Sequence, residues 1–193
     1  LMIYKFKQDV VGNGVAVVIL TMMIASLIAA LVIPLSSVKV PKVLTIFPNW
    51  TIPFLVVIGL ATAVYLSYVE VSEMRAFCGP VGNCNAVQNS PYAKLFGILP
   101  IPIMGIVGYA IILAVWLLQQ FGPPSLNKVA PVGLWGLGIG SVLFSSYLTF
   151  LEPFVIGATC AFCLASAIVA TMILWASILS ACKAIKRPHQ ECQ

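Results

Sequence analysis

Five apolar stretches, Val15 to Ile33, Ile52 to Val69, Ile98 to Leu118, Val132 to Leu151 and Cys160 to Ala181, each run for about the length that crosses a bilayer. Hydrocarbon offers no water to peptide groups, so such stretches satisfy their backbones internally as helices. The chain is therefore expected to be an all-α integral membrane protein. Composition agrees: 61% of the residues are apolar and 8% are charged, well outside soluble usage. Five spans consume most of the 193 residues, so the chemistry must lie in the bundle or its loops. A net charge of +5 would suggest nucleic acid for a soluble chain. Here the basic residues sit in loops and tails, where they set orientation, and the expected surroundings are membrane lipid with no nucleic acid. The chain opens at Leu1, which suggests an upstream piece, but no convincing signal cleavage site follows and the Val15 run reads as a retained helix.

Pro100 and Pro102 fall at the start of the third run, where missing amide hydrogens cost least. Gly136-x-x-x-Gly140 in the fourth suggests a closely approaching neighbour backbone. Orientation follows from lysine and arginine near the helix ends. Placing Lys39, Lys42, Lys128, Lys183, Lys186 and Arg187 on the cytoplasmic side turns the Glu70–Gly97 loop and the Glu152–Thr159 turn outward. Five spans then put Lys5 and Lys7 outside, against the rule, although short N-terminal tails do translocate.

That arrangement gathers four of the six cysteines on one face. Cys78 and Cys84 are spaced C-x5-C in the outward loop; Cys160 and Cys163 form C-x-x-C at the mouth of the last apolar run. Cys182 and Cys192 fall on the opposite, reducing side and read as plain thiols, and His189 as a solvated tail residue. A zinc site would favour two tight pairs on knuckle turns, so no metal is expected. A non-enzymatic scaffold with two structural disulfides accounts for Cys78 and Cys84 as a loop staple. It accounts poorly for Cys160 and Cys163, because so small a ring gains little. At a helix N-terminus the dipole and free amide hydrogens lower a thiol's pKa, which suits disulfide exchange. A relay between two dithiols needs a further acceptor. At the bilayer edge a lipid-soluble quinone is the common two-electron carrier, and the chain has no haem, iron–sulfur or nucleotide motif to offer another.

From "GLATAVYLSYVE" through "CGPVGNCNAVQNSPYAKLFGILPIPIMGIVGYA" to "CAFCLASA", the chain resembles the vitamin K epoxide reductase family, in its bacterial disulfide-forming branch. The joint signal is the C-x5-C pair, Ser90 six residues after its second cysteine, Gly97 seven further on, and the later C-x-x-C. The resemblance implies a four-helix transmembrane bundle enclosing a quinone, with one extra N-terminal transmembrane helix here. It implies that Cys160 and Cys163 are the active-site pair, Cys163 facing the quinone, and that Cys78 and Cys84 are the shuttle pair. Ser90 matches the family's loop serine, which makes it a candidate quinone-binding residue beside Cys163. Read from the residues, Ser90-Pro91 is also an N-cap and N1 signature for a short helix roofing the pocket.

Family members that reduce vitamin K often carry a tyrosine four residues after the second active-site cysteine, where this chain has Ala167. The expectation is therefore a thiol:quinone oxidoreductase, using ubiquinone, menaquinone or a related quinone, that reoxidises a thioredoxin-fold, DsbA-like partner. Many bacterial members continue into a thioredoxin-like domain, whereas the sequence here stops at Gln193, so the partner is expected as a separate protein or as one encoded beyond the ends shown. The expected organisation is an N-terminal helix and proline-containing loop over 1–51, a catalytic core over 52–182 and a basic cytoplasmic tail over 183–193. The expected membrane is the bacterial inner membrane, with the cysteines facing the periplasm or exterior; a thylakoid or endoplasmic reticulum membrane is the alternative.

Overall fold

The structure is a computed structural model that describes residues 5–35, 50–72, 74–78, 82–95, 99–123, 126 and 129–185. Lys39, Lys42, Gly97, Lys128, Lys186, Arg187, His189 and Cys192 lie outside the described residues.

Five helices are long and apolar enough to span a membrane: α1 (Val10–Leu35), α2 (Thr51–Val71), α4 (Ile101–Phe121), α5 (Val129–Leu151) and α6 (Ala161–Ile185). The chain is an integral membrane protein. Each helix starts or ends within a few residues of the apolar run that predicts it, with two informative differences. Helix α1 begins before the apolar run does, because the Asp9 carboxylate accepts the Gly12 amide hydrogen and caps it. Helix α5 does not stop cleanly at Leu151 but continues as one π turn over Glu152–Ile156, closed by Gly157 N–H donating to the Glu152 carbonyl. Gly157 takes φ +84°, and the Lys5 and Gln8 side of the N-terminal segment fills the space where a side chain would stand.

Helices α2, α4, α5 and α6 form a closed four-helix ring, each packed on two neighbours, and α1 lies outside it against α5 and α6. One core joins α2, α4 and α6 through Leu55, Val56, Tyr109, Ile112, Trp116 and Ile173. A second joins α1 to the ring through Met23, Leu27, Ala30, Val142, Leu174 and Ile178. The buried stripe of α1, Ala16, Met23, Leu27 and Ala30, recurs at helical spacing, while Val11, Val15, Val18 and Met22 of the same helix remain exposed. In a bilayer that exposed apolar face meets lipid. The Trp135 indole N–H donates to the Ala30 carbonyl at 3.1 Å and fixes α1 along α5.

At the cysteine end, the loop after α2 returns through a short helix α3 (Cys84–Gln88), a 3-10 turn (Pro91–Ala93) and a two-stranded ribbon, β1 (Lys94–Leu95) with β2 (Leu99–Pro100). The N-terminal segment shares this end, since Lys5 Nζ donates to the Ile156 carbonyl at 3.4 Å. Lys183 falls in the last turn of α6, at the other end.

The expected role of Gly136 and Gly140 needs correcting. No atom stands within 4 Å of a side chain built at either, so neither admits a close neighbour; both face an internal cavity. The tight contacts occur elsewhere. A Cβ at Gly138 would lie 3.2 Å from Leu174 Cα, and at Gly59 it would run into the Tyr109 ring. Cys182 also departs from expectation: it is fully buried in α6 and disulfide-bonded rather than a plain thiol.

Gly59→Ala should therefore overpack the α2–α4 seam and lower stability by about 1–3 kcal/mol. Gly136→Ala, at an open helical position, should leave stability unchanged or raise it. Thermal unfolding midpoints in detergent check this, and equal midpoints for the two variants would contradict the packing described.

Candidate active site

Asn83 decides the shape of the loop. Its side-chain oxygen accepts the Ala86 amide hydrogen at 3.1 Å and caps α3, and its own N–H donates to the Thr159 carbonyl at 2.9 Å. Cys84 follows Asn83 and Cys160 follows Thr159, so this one bond sets the two elements side by side. Gly82, at φ +87°, lies so close to the Thr159 carbonyl that a Cβ would collide with it. Asn85 of α3 pairs twice with the backbone of Ala76 in the incoming segment, accepting from its N–H at 2.8 Å and donating to its carbonyl at 3.3 Å. That segment is thereby held against α3, and Cys78 closes a disulfide with Cys84, Cα to Cα 5.9 Å. The Tyr65 hydroxyl accepts the Phe77 amide hydrogen while its ring packs on Phe162, centroids 4.9 Å apart, so the loop is also tied to α2 and α6.

Cys78, Cys84, Cys160 and Cys163 share one cluster. Cys84 and Cys160 are fully buried with Val69 and Ala76, and Cys78 and Cys163 pack against them. Cys160 and Cys163 are free thiols. Cys160 sits immediately before α6, its carbonyl taking the Leu164 amide hydrogen. The Cys163 side chain hydrogen-bonds the Cys160 sulfur and holds its pKa below the ordinary thiol value; the amide hydrogens of Cys163 and Phe162 add to this, against the opposing effect of burial.

Cys163 is half-buried because one side of it faces a cavity of about 550 Å³ inside the four-helix ring. Gly105 and Gly108 of α4 and Gly133, Gly136 and Gly140 of α5 line it, and their missing side chains are the reason the space exists. Leu66, Ile112, Leu137, Phe144 and Leu148 make the rest largely apolar. The Tyr109 hydroxyl lies at its wall, 2.8 Å from the Ser166 hydroxyl. Volume and lining suit an apolar ring compound with a few polar handles. Ala167 does not line this cavity; it is buried against α1 in the core with Met23 and Leu27.

Ser90 lies apart from the main cavity. It borders a chamber of about 60 Å³ shared with Cys163, and its hydroxyl donates to the Val87 carbonyl at 2.7 Å. The short helix expected after Ser90 is a three-residue 3-10 turn without a side-chain cap, and Asn83 is the residue that caps the loop helix.

Three polar residues at the site escape a sequence reading. Asn13 of α1, fully buried, accepts the Thr159 hydroxyl hydrogen at 2.9 Å, so the extra helix grips the residue before Cys160. Thr159 is itself buried. Glu152 is buried, accepts the Cys160 amide hydrogen at 3.3 Å, and its carboxyl is within hydrogen-bonding reach of the Cys163 thiol. An ionisable residue beside an apolar run was the available signal for Glu152; Asn13 lies before the run that marks α1. Among the described residues no cluster of three or more metal-ligating side chains occurs.

The fold and site define a membrane-embedded helical bundle with a dithiol at the wall of an apolar cavity and a disulfide on the loop packed beside it. The chain belongs to the vitamin K epoxide reductase family, whose sequence model matches residues 50–178. It is 31% identical over 122 residues to the thiol-disulfide oxidoreductase LTO1 of Arabidopsis thaliana, an alignment covering 59% of this chain. It spans about 31% of that relative's length. No solved structure gives a significant match.

If Cys84 reaches Cys160, removing both competing thiols should trap the pair. Cys78→Ala with Cys163→Ala is expected to accumulate a Cys84–Cys160 disulfide, seen as fragments that stay joined after proteolysis under non-reducing conditions. Both thiols remaining free in the folded, oxidised double variant would exclude their direct exchange.

Proposed function

We propose that this chain is a thiol:quinone oxidoreductase of the bacterial disulfide-forming branch, with residues 52–182 as its catalytic core. One observation carries the reading: Cys163 stands in the wall of the apolar cavity while its partner Cys160 is packed with Cys84 of the loop. A sulfur pair that touches the loop on one side and a lipid-like cavity on the other suits electron transfer between them. The family match and the thiol-disulfide oxidoreductase named among its relatives support this reading.

A quinone, when bound, would take up two electrons and two protons. Cys163 and the polar handles Tyr109 and Ser166 would hold its ring, and the glycine floor of α4 and α5 would make room for it. Ubiquinone, menaquinone and related rings all suit an apolar space of this size. The chain's own residues would do the rest. A thioredoxin-fold partner outside the membrane would reduce Cys78–Cys84 by exchange; the freed Cys84 thiolate would attack Cys160 Sγ, and Cys163 would leave as the thiolate at the cavity wall. The lowered pKa of Cys160 keeps that sulfur easily exchanged. Asn13 and Asn83 hold the attacked and attacking elements in register. The cysteine end would face the periplasm or exterior. With Ala167 turned toward α1, thiol oxidation is favoured over epoxide reduction.

The competing reading is a scaffold with two permanent staples. It is weakened by a closed Cys78–Cys84 pair beside an open Cys160 and Cys163 pair. Purified chain with added quinone should oxidise a reduced thioredoxin-fold protein catalytically. Gly136→Leu, which fills the cavity, should lower that turnover at least about tenfold while keeping the unfolding midpoint. Turnover that persists after complete removal of quinone, with oxygen excluded, would refute the assignment.

A further inference from the structure

Glu152 occupies a costly position. A carboxylate buried in an apolar bundle loses its hydration, at several kcal/mol, unless charge or hydrogen bonds compensate. The polar groups at its carboxyl are the Cys160 amide, bonded at 3.3 Å, and the Cys163 thiol. Capping one amide hydrogen requires only an acceptor, which an amide or hydroxyl side chain supplies at less cost. A carboxyl adds the capacity to take and return a proton.

The geometry places that capacity where the dithiol requires it. Cys163 turns one side to a largely apolar cavity and another to the chamber it shares with Glu152, Glu70, Ser90, Gln88 and Tyr92. A chamber of about 60 Å³ has room for one or two waters, and in its largely apolar wall Glu152, Glu70, Ser90, Gln88 and Tyr92 supply the polar groups. Beyond it lies an outer polar groove of about 1050 Å³ that Glu70, Ser90 and Gln88 also border. Glu70 borders both spaces, and neither of its carboxylate oxygens has a hydrogen-bond partner among the described residues. Glu152 thus stands beside the Cys163 thiol in a chamber whose lining residues Glu70, Ser90 and Gln88 also border the outer groove.

We propose that Glu152 is the acid–base residue of the dithiol, exchanging one proton with Cys163 Sγ each time that sulfur changes between thiol and thiolate. The proposal rests on the reading of Cys160 and Cys163 as a redox pair. In the exchange step Cys84 Sγ, as thiolate, attacks Cys160 Sγ of the closed pair. The Cys84–Cys160 bond forms, the Cys160–Cys163 bond breaks, and the electron pair goes to Cys163 Sγ. Cys84 is oxidised and Cys163 reduced. The O–H bond of protonated Glu152 breaks as the S–H bond of Cys163 forms. When Cys163 next serves as thiolate, its proton returns to Glu152.

A thiol and a carboxyl sharing one proton titrate as a unit in two steps. The titratable and charged groups around Glu152 are Cys160 just before α6 and Cys163 of α6, Glu70 and Tyr92 across the chamber, Lys94 beside Glu70, and Lys5 at Ile156. The test needs no quinone. In reduced chain in detergent, with Cys160→Ala in both samples so that the neighbouring thiol does not titrate beside it, alkylation of Cys163 by a small neutral reagent is followed by mass spectrometry across pH for wild type at position 152 and for Glu152→Gln. The chain with Glu152 should show a plateau of reactivity through neutral pH and a second rise in alkali. Glu152→Gln, which keeps the acceptor for the amide at position 160, should lose the plateau and rise in a single step. Identical profiles would overturn the proposal. Should the variant not fold, infrared difference spectra of wild type between oxidised and reduced forms decide: a protonated-carboxyl band that changes with the redox state supports the role, and its absence removes it. Because no acceptor is present, failure here leaves the quinone assignment standing, and failure of quinone turnover leaves this result standing.

Discussion

Thr159 gathers three separate parts of the chain at one residue. Its carbonyl accepts the Asn83 amide hydrogen from the loop, its hydroxyl donates to Asn13 of α1, and its peptide bond leads into Cys160 at the start of α6. Thr159 and Asn13 are buried, where an unmade hydrogen bond costs the full desolvation of its donor or acceptor. Loop, extra helix and dithiol are consequently fixed together. The Asn83 bond is the backbone hydrogen bond that sets Cys84 beside Cys160; the side-chain hydrogen bonds of Asn85, Tyr65 and Gln88 tie the loop to its own incoming segment and to α2.

The cavity and the dithiol depend on opposite uses of glycine. On α5, Gly133, Gly136 and Gly140 leave space empty, while Gly138, on another face of the same helix, lets the α6 backbone come close. The seam holds the ring together and the empty face keeps a volume open beside Cys163. The π turn after α5 belongs to this arrangement. It carries Glu152 into the site, and Gly157 then reverses the chain so that Thr159 and Cys160 follow at once. Helix α1 adds a second wall behind α6, packing on Ala167 and Leu174 away from the cavity.

Much was legible from pattern alone. Five apolar runs fix five spans, and cysteine spacing with loop charge places two pairs at one end. The resemblance carried by Cys78, Cys84, Ser90 and the later C-x-x-C points to the family that the sequence match gives. Less legible were the residues whose role lies in the partner they meet. The Gly136–Gly140 spacing looks the same whether a neighbouring helix or a void stands opposite. Ser90-Pro91 carries a capping signature, yet Asn83 provides the cap, because the Thr159 bond sets where the loop helix begins.

The sequence by itself determined that this chain crosses a membrane as helices, because unpaired peptide groups cannot persist in hydrocarbon whatever the side chains around them. It also determined that the two cysteine pairs share one end of the bundle, since reach along the chain is set by span count. Only the tertiary structure decided which face of each helix turns inward. In these helices both faces are apolar, so hydrophobicity does not distinguish lipid from core, and the choice falls to volume and to a few buried hydrogen bonds. That is why the glycine-lined cavity, the Asn13–Thr159–Asn83 junction and the carboxyl of Glu152 beside Cys163 emerge only when the helices are packed.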